Sequence, residues 1–307
     1  MTLWSSLAYR TQRQPAPDTL VSTLEARALK IRQLTIASIY HAGSGHPGGS
    51  LSCSDMLACL YGAEMNVTPA SFAGPEPNPN RDRFILSKGH AVPALYAAAA
   101  VHGFIDYSAL RDLRRARTRM QGHPHVRDTP FVETSTGSLG QGFSVAIGVA
   151  LALKHQDSEA RSYVMLGDGE LQEGEVWEGA MCAAHYQLDN FCALIDYNKL
   201  QSDDTNANIM GLEPLGEKWR AFGWNTVEID GNSVPDILRA LKAAGAKKSQ
   251  PTVIIAHTVK GKGVSFMEGQ PQWHGSVKLS PEDARRALRD LNLSETEIDN
   301  YLAGEMR

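Results

Sequence analysis

One stretch constrains this chain more than any other, Ser162 to Asn198. The apolar run Ser162-Tyr-Val-Met-Leu166 reads as a buried strand and breaks at Gly167-Asp168-Gly169. A helix-like segment from Glu175 to Tyr186 follows, and a second apolar strand, Phe191-Cys-Ala-Leu-Ile-Asp196, runs out at Asn198. In a parallel sheet such a strand–helix–strand unit carries both strand ends to one edge, where open α/β folds bind ligands. Asp168 and Asn198 then point at one spot. A carboxylate, an amide carbonyl and a nearby backbone oxygen suit an octahedral Mg²⁺ shared with a phosphate, and the glycines let that phosphate approach the main chain. A plain turn at Asp168-Gly169 and a loop cap at Asn198 account for the same residues. The segment alone leaves both readings open.

Composition narrows the class. A chain of 307 residues, 42% hydrophobic and 21% charged, can bury a large core as a globular protein. A net charge of −4 offers no electrostatic case for nucleic acid or an anionic membrane, and no apolar run nears the length of a membrane span. The four cysteines (53, 59, 182 and 192) form no CxxC pair and lie in apolar patterns, as reduced core residues of a cytoplasmic protein do. Residues 1–17 lack the apolar core of a signal peptide and read as a flexible or surface-lying leader.

Beyond residue 17 the chain alternates helix and strand. Asp18 is placed to cap a long helix that Gly43 stops, and a helix is expected around Ser54 to Glu64. A strand at Arg83–Ser87 leads into an Ala-rich helix with Pro93 in its first turn. The Gly-rich loop 133–142 opens a small-residue helix reaching about Leu153. Later elements are expected at 215–222 (helix), 224–229 (strand), 235–244 (helix), 252–257 (strand) and 281–291 (helix), with a last helix opened by Ser294 and Glu297 in capping-box spacing. The polar segment 199–208 reads as an active-site or interface loop. The arginines between Arg111 and Arg119 read as a solvated helix face or subunit contact.

The histidines are distributed unusually. His46, His90, His123 and His274 each sit in a Gly- or Pro-bracketed loop, whereas His155 and His185 fall in helical patterns that suggest core positions. The segment Gly43-Ser-Gly-His-Pro-Gly48 matches GxGxxG but follows a helix, which argues against a dinucleotide fingerprint. No HxH or HExxH spacing supports zinc. Donors to phosphate and hydroxyl, with proton-transfer roles, fit four loop imidazoles better.

These residues carry a resemblance. The Gly-Asp-Gly to Asn span looks like the thiamine-diphosphate motif. Ser44-Gly-His-Pro-Gly48, Ser87-Lys-Gly-His90, Gln121-Gly-His-Pro124, Thr136-Gly-Ser-Leu-Gly-Gln-Gly142 and Trp273-His-Gly275 look like transketolase, in the right order from about residue 25 to 280. The resemblance is to the N-terminal, diphosphate-binding subunit of split, two-chain transketolases. It implies an α/β fold, a parallel sheet with helices on both faces, with residues 18–307 as one domain. It implies that Asp168, Asn198 and the Leu200 carbonyl hold Mg²⁺, while Gly169 and His90 contact the diphosphate and His274 lies between it and the reactive carbon. His46 and His123 would hold sugar hydroxyls and the carbonyl oxygen and move protons, with His46, His123 and His274 as the catalytic histidines. His46 and Glu173 also belong to the expected cofactor-binding set. Gly137, Ser138 and Leu139 would support the aminopyrimidine ring, although many members carry Pro where this chain has Ser138. Glu173 and Glu178 match acids that link two active sites where protomers meet; helix N-terminal acids favoured by the dipole explain them equally.

The resemblance further implies a partner. The family's pyrimidine-binding domain, with its cofactor-activating glutamate and most phosphate-gripping groups, is expected on a second polypeptide in an α2β2 heterotetramer. The implied reaction is transfer of a two-carbon ketol unit from a ketose, expected to be phosphorylated, to an aldose. Alternatives are a specialised transketolase for an unusual sugar or biosynthetic intermediate, the α chain of a 2-oxo acid dehydrogenase, and a non-catalytic partner-binding paralogue. The SGHPG, GHP and WHG loops speak against the dehydrogenase, and the retained Asp168, Asn198 and loop histidines against the paralogue.

Overall fold

The computed structural model describes residues 16–73 and 77–306, so most of the expected leader lies outside the described residues. Among the described residues seven strands occur: β1 (Arg83–Leu86), β2 (Ser162–Gly167), β3 (Phe191–Tyr197), β4 (Leu200–Gln201), β5 (Asp204–Thr205), β6 (Asn225–Asp230) and β7 (Thr252–His257). Five form one sheet in the order β1-β2-β3-β7-β6, parallel throughout, while β4 and β5 make a small hairpin. The in-register pairing of Gly167 with Asp196 brings the two motif ends side by side.

Side chains alternate across the sheet with the period of two that a pleated strand imposes. Tyr163, Met165, Cys192, Leu194 and Ile254 face a core built on helices Asp18–Ala42, Val92–Val101, Val234–Ala246 and Pro281–Asp290. Val164, Leu166, Ala193, Ile195 and Ile255 face the opposite core, against helices Gln141–His155, Gly174–His185 and Leu215–Ala221. Central strands covered on both faces must be apolar along their whole length, and β3 is buried at every position. Among the described residues no helix is long and apolar enough to cross a membrane.

Most expected elements stand, with shifted ends. Strand β7 is as expected, and Gly43 ends the first helix at φ 67° with its N–H donating to the Tyr40 carbonyl. Ser294 and Glu297 form the expected capping box. Asp18 does not cap: Pro17, held extended at φ −61°, occupies the cap, and Asp18 is the first helical residue, where the helix dipole favours an acid. The helix begun at Ser54 is α-helical to Cys59 and widens to a π turn over Leu60–Glu64. Residues 113–119 are not helical; a 3-10 segment ends at Asp112 and turns follow, with Arg114 and Arg117 at φ 58° and 64°. The arginines there are solvated, but on turns rather than on a helix face. The expectation for His155 and His185 is also corrected. Both are exposed in last helical turns, where their neighbours Leu153 and Ala183 take the core positions.

Candidate active site

Because the sheet is parallel, the loops after β1, β2, β3 and β7 leave from the same edge and line one cleft. The loop after β2 places Asp168 at 3% exposure. Its Oδ1 accepts the Gly169 N–H at 2.9 Å and its Oδ2 the Lys199 N–H at 2.5 Å. Burial pushes the Asp168 carboxyl up to about 6, against a lowering pull from Lys260. After β3, Asn198 donates from Nδ2 to Asp196 Oδ2 at 3.2 Å, and its Oδ1 accepts the Leu200 N–H at 3.2 Å. The Leu200 carbonyl turns into the cleft, where it accepts from Lys260 Nζ at 2.6 Å. The same ammonium lies 2.5 Å from His274 Nδ1, and burial lowers Lys260 to about 8, with Asp168 opposing that shift.

Beneath these groups lies a dry polar floor. Lys88 and Asp196 are 1% and 0% exposed and pair at 2.5 Å. Asp196 also accepts from Ser52 Oγ at 2.6 Å and Thr258 Oγ1 at 2.5 Å, and Lys88 donates to the Gly49 carbonyl at 2.7 Å. Burial alone would raise Asp196, but the adjacent ammonium and these hydrogen bonds hold its carboxyl below the usual range. Glycine is required where the backbone forms the wall. A Cβ on Gly48 would meet the Trp273 carbonyl oxygen at 2.8 Å, and one on Gly169 would meet Gln201 Cβ at 3.0 Å.

Three of the loop histidines form a file. The His46 and His90 rings lie 5.4 Å apart, and those of His90 and His274 5.5 Å. Burial depresses all three, His46 to about 4 and His274 to about 3, aided by Arg114 and His123 at His46 and by Lys260 at His274. Neutral imidazoles can each donate one hydrogen bond and accept another. His123 stands off the file. It is exposed, and its ring backs onto Gly137, where a Cβ would lie 3.1 Å from Cδ2. Burial and Arg114 lower its pKa too. An antiparallel bridge, Gly45 with Val277, ties the His46 loop to the His274 loop.

The remaining expected residues divide. Leu139 and Gly169 line the cleft beside Asp168, Asn198 and Leu200. Ser138 is exposed at the rim. Glu173 and Glu178 are exposed outside the cleft lining; Glu173 occupies the N-cap position of helix Gly174–His185, whereas Glu178 lies beyond its first turn. Sequence reading assigned no role to Lys88, Asp196, Lys260, Gly49 or Glu170, all of which line the cleft. Asp196 carried a usable signal, since a carboxylate ending an apolar strand needs a buried partner. Lys260 had only its place in the loop after a strand.

The donor set fits a hard cation held jointly with a ligand. Among the described residues no three His, Cys, Asp or Glu side chains are grouped to hold a metal by themselves. One carboxylate, one amide oxygen and one cleft-facing carbonyl are available, which leaves the other positions of an octahedron to phosphate oxygens and water.

Comparison with known proteins gives the family. Residues 24–296 match the family described as transketolase, thiamine diphosphate binding domain. The chain is 43% identical over 268 residues to the 6-deoxy-6-sulfo-D-fructose transketolase subunit SqwG of Clostridium sp. (strain MSTE9), covering 87% of this chain and 96% of that one. It is 39% identical over 272 residues to an apulose-4-phosphate transketolase subunit from Phocaeicola vulgatus, covering 89% and 95%. The solved transketolase of Leishmania mexicana superposes with a TM-score of 0.81 at 27% identity over 92% of this chain, which spans 44% of that longer one. With its sheet, its strand-end donors and its loop histidines in place, the chain belongs to the transketolase family, as the thiamine-diphosphate-binding domain.

Proposed function

We propose that this chain is the diphosphate-binding subunit of a two-chain, thiamine-diphosphate- and Mg²⁺-dependent transketolase. The observation that carries the reading is the meeting of Asp168, Asn198 and the Leu200 carbonyl at adjoining strand ends, beside a file of neutral histidines. Residues 18–307 serve as one domain. Asp168, Asn198 Oδ1 and Leu200 O hold Mg²⁺, and Gly169 and His90 hold the diphosphate. Lys260, whose ammonium already bridges Leu200 O and His274, adds positive charge. Bound thiamine diphosphate supplies a nucleophilic carbon that adds to a ketose carbonyl.

The chain's own side chains do the rest. His274, fixed through Nδ1 by Lys260, would use its other ring nitrogen between the diphosphate and the reacting carbon. His46 and His123 bind the donor's hydroxyls and carbonyl oxygen and carry protons as its carbon–carbon bond breaks. Their depressed pKa values keep them neutral near pH 7, able to take a proton as well as give one. Gly137, Ser138 and Leu139 support the ring at the cofactor's far end, and Glu173 with Glu178 faces a second copy of the site.

The second polypeptide brings the pyrimidine-binding domain, in an α2β2 assembly in the cytoplasm. The reaction is transfer of a two-carbon ketol unit from a ketose with an anionic end to an aldose. The two related subunits are named for 6-deoxy-6-sulfo-D-fructose and for apulose-4-phosphate, one sulfonated and one phosphorylated, which favours a specialised sugar over general pentose chemistry. Copurification with the adjacently encoded partner, then calorimetry with thiamine diphosphate and Mg²⁺, tests the reading. The pair should bind the cofactor and transfer ketol units, and the lone chain should not transfer. A pair that binds no cofactor, or a lone chain that turns over, overturns it.

A further inference from the structure

Glu170 is a buried acid with no part in the chemistry proposed above. It is 2% exposed, two residues past Asp168. Its Oε1 accepts from the Ser87 hydroxyl and from the Gly140 N–H at 2.9 Å, and its Oε2 from the Gly167 N–H at 3.0 Å. The three donors belong to three different loops. Ser87 opens the loop bearing Lys88 and His90, Gly140 closes the loop bearing Gly137–Leu139, and Gly167 opens the turn bearing Asp168.

We propose that Glu170 is a positioning residue that locks these three cofactor-facing loops in mutual register. All three partners are donors, so the site needs an acceptor on both oxygens, which among side chains of this length only a carboxylate offers. Hydrogen bonds to an ionised acceptor are also the stronger kind. The charge sits at the N-terminus of helix Gln141–His155, whose cap residue is Gly140, and there the helix dipole favours an anion. The loops pack closely at their glycines. A Cβ on Gly142 would lie 2.7 Å from Ser87 Cα, and one on Gly89 would lie 2.9 Å from the Gly137 nitrogen. Backbone this close has no slack of its own to set the spacing, and the carboxylate supplies the set point. Although Glu170 borders the cleft, both its oxygens are engaged by these loop donors, so it acts through the loops.

The inference rests on the thiamine-diphosphate reading, and the test separates the two. In Glu170→Gln one acceptor becomes an NH₂ facing a donor. Amide exchange of the full chain without cofactor should speed at least about tenfold in peptides containing Gly140 and Gly167, with β3 unchanged. In the reconstituted pair, the Kd for thiamine diphosphate with Mg²⁺ should rise roughly 10- to 100-fold, as for loss of a group that orients ligands. The kcat at saturating cofactor should stay within about twofold, the split expected of a group that only positions. Ser87→Ala, which removes one donor of the three, should shift both readouts the same way by less, and it carries the test if Glu170→Gln does not fold. Unchanged exchange at Gly140 and Gly167 overturns the proposal. So does a fall in kcat with unaltered cofactor affinity, which would put Glu170 in the chemistry. A wild-type pair that binds no thiamine diphosphate defeats the functional reading, and exchange then decides the loop lock by itself.

Discussion

The floor and the rim of this cleft are built on opposite plans. The floor is dry and cross-bonded: Lys88, Asp196, Ser52 and Thr258 satisfy one another at full burial, and Asp168 and Asn198 are held by main-chain N–H groups. The rim is partly wet and loosely tied. His123 is exposed, Ser138 faces solvent, and His46 touches its neighbour His90 ring to ring. In the function proposed above, the floor meets a diphosphate and a cation, whose shape never changes, so rigidity there does not slow turnover. The rim must admit a sugar, pass protons and let product leave. Fixed charge below and neutral, adaptable imidazoles above is the division of labour that the difference teaches.

The sharpest way to break this contrast is to remove the floor's proposed cation ligand. Asp168→Ala should lose thiamine diphosphate–Mg²⁺ affinity by more than about 100-fold, the upper end of losses seen for groups around a metal, as measured by calorimetry on the pair. Retained affinity would place the cation elsewhere. Next in size, Lys88→Met leaves Asp196 charged and unpaired at full burial and should cost about 3–5 kcal/mol in denaturant unfolding. A cost under about 1 kcal/mol would mean that the floor is not set by this pair. At the rim, His123→Asn should lower ketol transfer by about 100-fold or more while its unfolding stability stays within about 0.5 kcal/mol, as for an exposed position.

The smallest effect concerns pH. Burial holds the folded-state pKa of His46 near 4, below the ordinary 6.5. The unfolded chain therefore binds a proton first as pH falls, so this group's contribution is present above 6.5 and is lost as pH drops toward 4. Melting of wild type against His46→Asn should accordingly shift toward the variant across that window, by on the order of 1 kcal/mol after solvent screening. A difference constant from pH 7 to 4 would show that His46 titrates normally.

Much of the fold was legible in the sequence because it depends on local pattern. Buried parallel strands are unbroken apolar runs, which is why β2, β3 and β7 could be read to within a residue or so. The loop histidines and Asp168 were legible because glycine and proline bracket them, and such brackets mark backbone that must approach something. What escaped was pairing between distant segments. Nothing local says that Glu170 bonds Ser87 and Gly140, or that Lys260 reaches Leu200 O and His274. His155 and His185 were misplaced for the related reason that a helical period identifies an apolar face but not the angular edge of that face, and both fell just outside it.

The bridge between Gly45 and Val277 has a consequence for how the protein is made. It joins segments far apart in the sequence, and it ties the loop of His46 to the loop that carries His274. A growing polypeptide can lay down most of the sheet while this closure is still impossible, because loop contacts of such span form late and at high entropic cost. The cleft is thus finished only after Val277 has been added to the chain. On the proposed function, cofactor loading waits for this closure, and the preceding sheet must reach its compact state without that ligand's help.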